Sequence, residues 1–184
     1  MEIKSLDSIG NLKDKKVLLR LDLNVPVQDG KVADDYRIKK IFPTMEFLSR
    51  SGAKIILISH LGSGEKEESL RPVAEYLSEK LKVSFLDEPV GLVLREKTEK
   101  MGDGEAVLLE NLRFYDGEEK NDIQFAKDLA SLGDIYVNEA FSASHRPHAS
   151  IVGLPLLLPS YAGFLFMEEF RNLSLAFNPE HPFL

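Results

Sequence analysis

The chain predicts a three-layer α/β/α fold on a mainly parallel sheet, and three observations carry that expectation. Five short, apolar runs recur along the 184 residues: Val17–Leu21, Lys54–Ser59, Val83–Leu86, Ala106–Leu109 and Asp134–Val137. Lys54–Ser59, short, continuous and rich in isoleucine, has the form expected of a strand covered on both faces. Longer stretches with helical spacing separate the runs, and strand-helix alternation is the pattern of a parallel sheet with helices on both sides. Four of the runs also end in a burst of Arg, His, Asp, Asn or Glu: Asp22-Leu23-Asn24, His60, Glu110–Arg113, and Asn138-Glu139 followed by His145–His148.

In chain order, Asp29-Gly30 marks a turn after the first run. Arg37–Ser51 reads as one helix, because Ile38, Ile41, Phe42, Met45 and Leu48 share a face. Its Pro43 falls in the first turns, where a missing N–H costs least, and Gly52 stops it. Ser69 is placed to cap the next helix, with Pro72 in its first turn and Leu70, Val73, Leu77 and Leu81 as its core stripe. Gly91–Lys100 is a short helix. Asn121 is placed to cap a helix running to Leu132, with Phe125 and Leu129 inward and Gly133 as its stop. Leu165–Leu175 reads as a last helix, broken by Asn178–Pro182, and Phe183-Leu184 resembles the start of a further strand. A chain that stops there is expected to be a cut one.

Hydrophobic residues make up 43% and charged residues 29%, a soluble globular balance for one domain. The net charge of -7 argues against nucleic-acid and anionic-membrane partners, and no aromatic residues interleave with the arginines. Without cysteine there is no disulfide, thiolate metal site or thiol nucleophile, as fits a reducing cytoplasm. Met1–Lys16 is polar and mixed in charge, unlike a signal peptide, and Ile151–Met167 is too short and proline-broken to span a bilayer. The G-x-G-x-x-G, G-x-x-x-x-G-K-[ST] and G-x-S-x-G motifs are all absent, so a dinucleotide site, a P-loop and a hydrolase elbow lack support.

The bursts define the expected site. Right-handed crossovers put the carboxyl ends of parallel strands on one edge, where open sheets bind ligands. That edge would gather Arg20, Arg37, His60, Arg113, Arg146, His145 and His148, with Asp22 and Asn24. Guanidinium forks bind phosphate and carboxylate oxygens bidentately, so the ligand should be a small polyanion. Arg20, inside an apolar run, has an even claim to a structural ion pair with Asp22 or Glu110. His145 and His148 with Glu139 have the spacing for a metal, but no third neutral ligand accompanies them, and an anion or backbone partner is favoured.

Ordered motifs make this reading specific. Arg20–Pro26 (RLDLNVP), Asp34–Ile38 (DDYRI), Ser59–Gly62 (SHLG), Leu109–Tyr115 (LENLRFY) with Glu118–Asn121 (EEKN), Val137–Phe141 (VNEAF) and His145–Ser150 (HRPHAS) cover nearly the whole chain. In this order they resemble the amino-terminal half of phosphoglycerate kinase. The resemblance implies a Rossmann-like substrate domain over 1–164, then an interdomain helix and a truncated start of a second domain over 165–184. It implies a glycolytic phosphotransferase that moves a phosphoryl group between 1,3-bisphosphoglycerate and ADP, giving 3-phosphoglycerate and ATP. Mg-ADP or Mg-ATP would belong to the missing carboxy-terminal domain, with no cofactor or metal expected in this chain.

By the same resemblance, Asp22 and Asn24 would hold the hydroxyl and carboxylate end of the glycerate. Arg37 would sit at the transferred phosphoryl as the catalytic residue. His60, Arg113 and Arg146 would bind the distal phosphate, with Arg20, His145 and His148 completing a basic patch. One departure is Ser63, where the family carries a phosphate-binding arginine after His-Leu-Gly. One fork fewer removes a charge-assisted bond worth about 1.5–3 kcal/mol, and Lys66 is the candidate substitute. The chain alone is expected to be a monomer that binds 3-phosphoglycerate without turnover. The competing reading is a stand-alone anion-binding or pseudoenzyme domain.

Overall fold

A computed structural model describes residues 3–62 and 68–175. Its main sheet has six strands in the order β5-β6-β4-β1-β7-β8, and every pairing is parallel. The strands are β1 (Lys16–Arg20), β4 (Lys54–Ile58), β5 (Val83–Leu86), β6 (Ala106–Leu109), β7 (Ile135–Asn138) and β8 (Ser160–Ala162). A small antiparallel hairpin, β2 (Val27–Gln28) with β3 (Lys31–Val32), closes over the predicted Asp29-Gly30 turn. Both turn residues have positive φ, +50° and +73°, as the tight two-residue hairpin requires.

Burial explains the strand order. β1 and β4 are buried at four of their five residues and β6 at all four, so they lie centrally. β5 and β8, each with one buried residue, form the edges. Period-2 alternation divides the core into two layers. Val17, Leu19, Ile55 and Leu57 face one side with Ile38, Met45, Leu48, Val73 and Leu77. Leu18, Ile56 and Ile58 face the other with Leu94, Leu129, Leu132 and Leu154. Helices on both faces complete the three-layer α/β architecture.

The helices are α1 (Tyr36–Lys40), α2 (Phe42–Arg50), α3 (Arg71–Lys80), α4 (Leu92–Glu99), α5 (Asp116–Glu119), α6 (Ile123–Ala130), α7 (Leu154–Leu157) and α8 (Phe164–Leu175). The helix expected over Arg37–Ser51 is two pieces broken at Ile41. Pro43 cannot donate to the carbonyl four residues back and its ring crowds that group. α2 ends as predicted at Gly52: Gly52 N–H donates to Ser49 O at 3.1 Å and Ala53 N–H to Leu48 O at 3.1 Å, a Schellman pair. Asp122, not Asn121, caps α6, accepting from Phe125 N–H at 2.8 Å, while Asn121 takes up a φ of +50° before it. Elements the sequence reading did not assign include β8, the short helix α5, and a π-helical turn over Ala149–Gly153 leading into α7. The expectations placed on Ser63, Lys66 and 176–184 lie outside the described residues. No helix among the described residues is long and apolar enough to cross a membrane.

Candidate anion-binding site

The four strands that end in polar bursts, β6-β4-β1-β7, are consecutive neighbours, so the bursts share one edge. From β1 the chain builds one way through β4 and returns to the other side with β7. That reversal opens a crevice at the carboxyl ends of the strands. Two buried polar side chains fasten its floor. Ser59 Oγ donates to Leu21 O at 2.8 Å and accepts from Leu23 N–H at 3.0 Å. Asn111 accepts from Leu61 N–H at 3.2 Å and Arg113 N–H at 3.0 Å, and donates to Leu61 O and Glu68 O, both at 2.7 Å.

A cavity of about 200 Å³ occupies the crevice, and its described lining is Asp22, Asn24, Arg37, His60, Ser142, Ala143 and Arg146. Five of the expected site residues therefore meet in one place, from four separate segments. Asp22 Oδ2 pairs with Arg37 Nη1 and accepts from Ser142 Oγ at 2.5 Å. The Arg37 side chain is 53% exposed and Asp22 15%, so the guanidinium reaches outward from a part-buried carboxylate. Asn24 Oδ1 accepts from Gly62 N–H at 3.3 Å, tying the β1 loop to the β4 loop.

Arg20 does not reach the cavity. It is fully buried beneath it, and the partners expected for it, Asp22 and Glu110, are not its hydrogen-bond partners. Its Nε donates to Ser150 Oγ at 2.9 Å, Nη1 donates to Leu21 O, and Nη2 lies 2.9 Å from His60 Nδ1. Buried Glu118 accepts from Ser150 N–H at 2.9 Å and Ser150 Oγ at 2.5 Å, so Ser150 bridges the carboxylate to the guanidinium. Burial lowers the Arg20 pKa and Glu118 opposes that shift. Glu110, the other expected partner, faces α3, accepting from Ser69 Oγ at 2.7 Å and Leu70 N–H at 2.8 Å. The N-cap of α3 is Leu70 rather than the expected Ser69 and carries no side-chain cap; Ser69, one residue earlier, accepts from Arg71 N–H at 3.1 Å, and Glu110 takes the Leu70 N–H.

An arginine only donates, so His60 Nδ1 accepts from Arg20 and the ring proton sits on Nε2. Burial first, then the charges of Arg20, Arg113 and Arg146, hold the His60 pKa down at about 3. The ring is therefore a neutral N–H donor at the cavity, which stabilises an anion without competing as a charge for solvent.

Arg113 and His148 are not among the described residues lining the cavity. The Arg113 side chain is 5% exposed and pairs with Glu119, close enough for its charge to act on both His60 and His148. His148 is buried and held at about 4 by desolvation and then by Arg113 and Arg146. His145 is exposed on the same loop. Glu139, the third member of the metal alternative, is buried against α8 instead. No group of three or more His, Cys, Asp or Glu lies together among the described residues in a way that could hold a metal. Ser142, Ser150 and Glu118 are the site residues that sequence reasoning did not assign; Ser142 carries no periodic signal, and Ser150 and Glu118 stood only within motifs.

The chain resembles several known proteins along nearly its whole length. It is 47% identical over 191 aligned residues to a phosphoglycerate kinase of Borrelia garinii subsp. bavariensis, covering 100% of this chain and 49% of that protein. It is 51% identical over 179 residues to one of Orientia tsutsugamushi, covering 94% and 44%. The crystal structure of phosphoglycerate kinase from Pyrococcus horikoshii OT3 superposes with a TM-score of 0.89 at 35% identity, covering 97% of this chain and 46% of that one. The structure from Coxiella burnetii does so with 0.86 at 37%, covering 98% and 47%. The chain thus spans about half the length of the curated relatives it matches. The phosphoglycerate kinase family model matches residues 6–184, and the chain belongs to that family.

Proposed function

We propose that the crevice binds 3-phosphoglycerate or 1,3-bisphosphoglycerate, and that the chain supplies this substrate site to a phosphoglycerate kinase about twice its length. The observation that carries the reading is the convergence of Arg37, Arg146 and a neutral His60 donor on one cavity whose wall also holds Asp22 and Asn24. Asn24 and Asp22 would take the hydroxyl and carboxylate end of the glycerate. Arg146 and His60 would take the distal phosphate, with buried Arg113 adding positive potential from behind. Arg37, tethered by Asp22 yet half exposed, would meet the transferred phosphoryl.

Phosphoryl transfer asks little covalent chemistry of a protein; it asks for alignment and for charges aimed at the transferring group. The Asp22 carboxylate fixes one nitrogen of Arg37 and leaves the others for substrate, so the fork costs little to organise during the reaction. Nucleotide would be met by the remainder of the intact protein, with this chain acting as a monomeric binding module without turnover.

Calorimetric titration of the chain with 3-phosphoglycerate tests the reading, beside a kinase assay of the chain alone. Saturable binding without turnover is expected. Arg146→Met or Arg37→Met should each weaken binding about ten- to hundredfold, the worth of a hydrogen bond to a charged group. No binding at low salt, or unchanged affinity in both variants, would sink the assignment, and turnover by the chain alone would refute the division of labour.

A further inference from the structure

The loop that follows β7 does two jobs. On one side it walls the anion cavity, where Ser142 Oγ donates to Asp22 at 2.5 Å and Arg146 lines the pocket. On the other it holds α8. The first N–H groups of a helix have no partner inside it. In α8 these donors are met by side chains from other elements: Phe164 N–H donates to Thr44 Oγ1 at 3.2 Å, Leu165 N–H to Glu139 Oε1 at 3.1 Å, and Phe166 N–H to Glu139 Oε2 at 3.2 Å. Thr44 Oγ1 also donates to the Glu139 carboxylate, closing the arrangement. Both side chains are buried, and a carboxylate suits the positive end of the helix dipole. A side chain at Gly163 would collide with Glu139 Oε2, so glycine there lets the carboxylate approach.

The same loop adds an edge-on contact between the Phe141 and Phe166 rings, 5.2 Å between centroids. A second cavity, of about 500 Å³, shares part of its wall with the first. Asp22, Arg37 and Ser142 line both, and α8 contributes Leu165, Glu168 and Glu169 to the second. The placement of α8 and the Asp22–Arg37 pair are therefore tied to one short run of chain, 139–142: Glu139 and Phe141 hold α8 and Ser142 holds Asp22. Packed elements shift as units rather than deforming smoothly, so a change at one end is transmitted to the other.

We infer that Glu139 is a positioning residue that couples the orientation of α8 to the Asp22–Arg37 wall of the anion cavity. The coupling is reciprocal, so it can be read from either end without a ligand. Amide hydrogen exchange at Leu165 and Phe166, measured by NMR on the 184-residue chain, is the readout. Glu139→Gln should raise exchange at both amides about tenfold or more. Ser142→Ala touches neither amide and alters an exposed residue, so it leaves the fold intact. It should nonetheless raise exchange at both by about two- to tenfold, the worth of one ordinary hydrogen bond. Combined with Glu139→Gln it should add nothing further. Gly163→Ala, which displaces the carboxylate without altering it, should reproduce the Glu139→Gln effect. Wild-type exchange in Ser142→Ala would make Glu139 a local cap and overturn the coupling. So would additive effects in the double variant, or unchanged exchange in both Glu139→Gln and Gly163→Ala.

Discussion

Replacing Glu118 by glutamine should be among the most damaging isosteric changes this chain can suffer. Glu118 and Arg20 are both fully buried, and Ser150 joins them: its hydroxyl accepts from Arg20 Nε at 2.9 Å and donates to Glu118 at 2.5 Å, while its N–H donates to the other carboxylate oxygen at 2.9 Å. Both carboxylate oxygens thus accept. An amide can offer only one acceptor, so its NH₂ must face a donor or orphan one. More costly, the Arg20 charge keeps its burial but loses its countercharge, and that countercharge is the largest force opposing its desolvation. Removing one partner of a buried pair costs about 3–5 kcal/mol. For a chain of this size about 2–4 °C of melting temperature corresponds to each kcal/mol, so the midpoint should fall by roughly 6–20 °C. Thermal and urea unfolding followed by circular dichroism measure it. Adding Arg20→Met removes the stranded charge, so the double variant should be less destabilised than the sum of the singles by about 0.5–3 kcal/mol. A Glu118→Gln loss below about 1 kcal/mol, or strict additivity in the double, would refute the view that this carboxylate neutralises Arg20.

Other consequences are as sharp. The His60 ring, held at about 3 in the folded chain against about 6.5 unfolded, should show no midpoint between pH 5 and 8 in an NMR titration; one near 6.5 contradicts the Arg20-bound neutral tautomer. Because the unfolded chain binds the extra proton between those values, His60 contributes stability that is present above pH 6.5 and lost as pH falls toward 3; His60→Gln should flatten that slope in urea unfolding. Gly133→Ala places a methyl carbon 2.7 Å from Leu18 Cγ in the core beneath β1, and should cost about 1–3 kcal/mol by denaturant unfolding. Asp122→Ala removes the acceptor for Phe125 N–H at the start of α6 and should cost about 0.5–2 kcal/mol, whereas Asn121→Ala should not act through that cap.

The central strands were legible because a buried parallel strand has to be a short, mostly apolar run, as in β1, β4, β6 and β7, and edge strand β5 still offered Val83, Phe85 and Leu86. Edge strand β8 escaped notice for the same reason: it has three residues behind Pro159 and one buried side chain, too little for a pattern. Helix ends were legible where one residue decides them, as at Gly52, and were misplaced where two neighbours compete, as at Asn121 and Asp122. The break at Ile41 shows a proline tolerated near a helix start acting instead as an interruption, because the residues before it had already coiled.

In the site, Asp22, Asn24, Arg37, His60 and Arg146 were legible because each lies just beyond a strand or in a motif, and strand ends share an edge. Arg20 shows the limit. It is the last residue of β1, two before Asp22, and its side chain lies under the crevice, where Ser150 and Glu118, about 100 or more residues away, receive it.

Residue order alone thus determined the layer architecture, the acidic surface with a basic rim, and the family, since these follow from local periodicity and from motifs contiguous in the chain. Tertiary structure alone decided which cations face the crevice, which nitrogen of His60 carries the proton, and that Glu139 holds α8. Those outcomes depend on burial and on partners brought together by strand order, and distance along a chain says nothing about distance through a packed core.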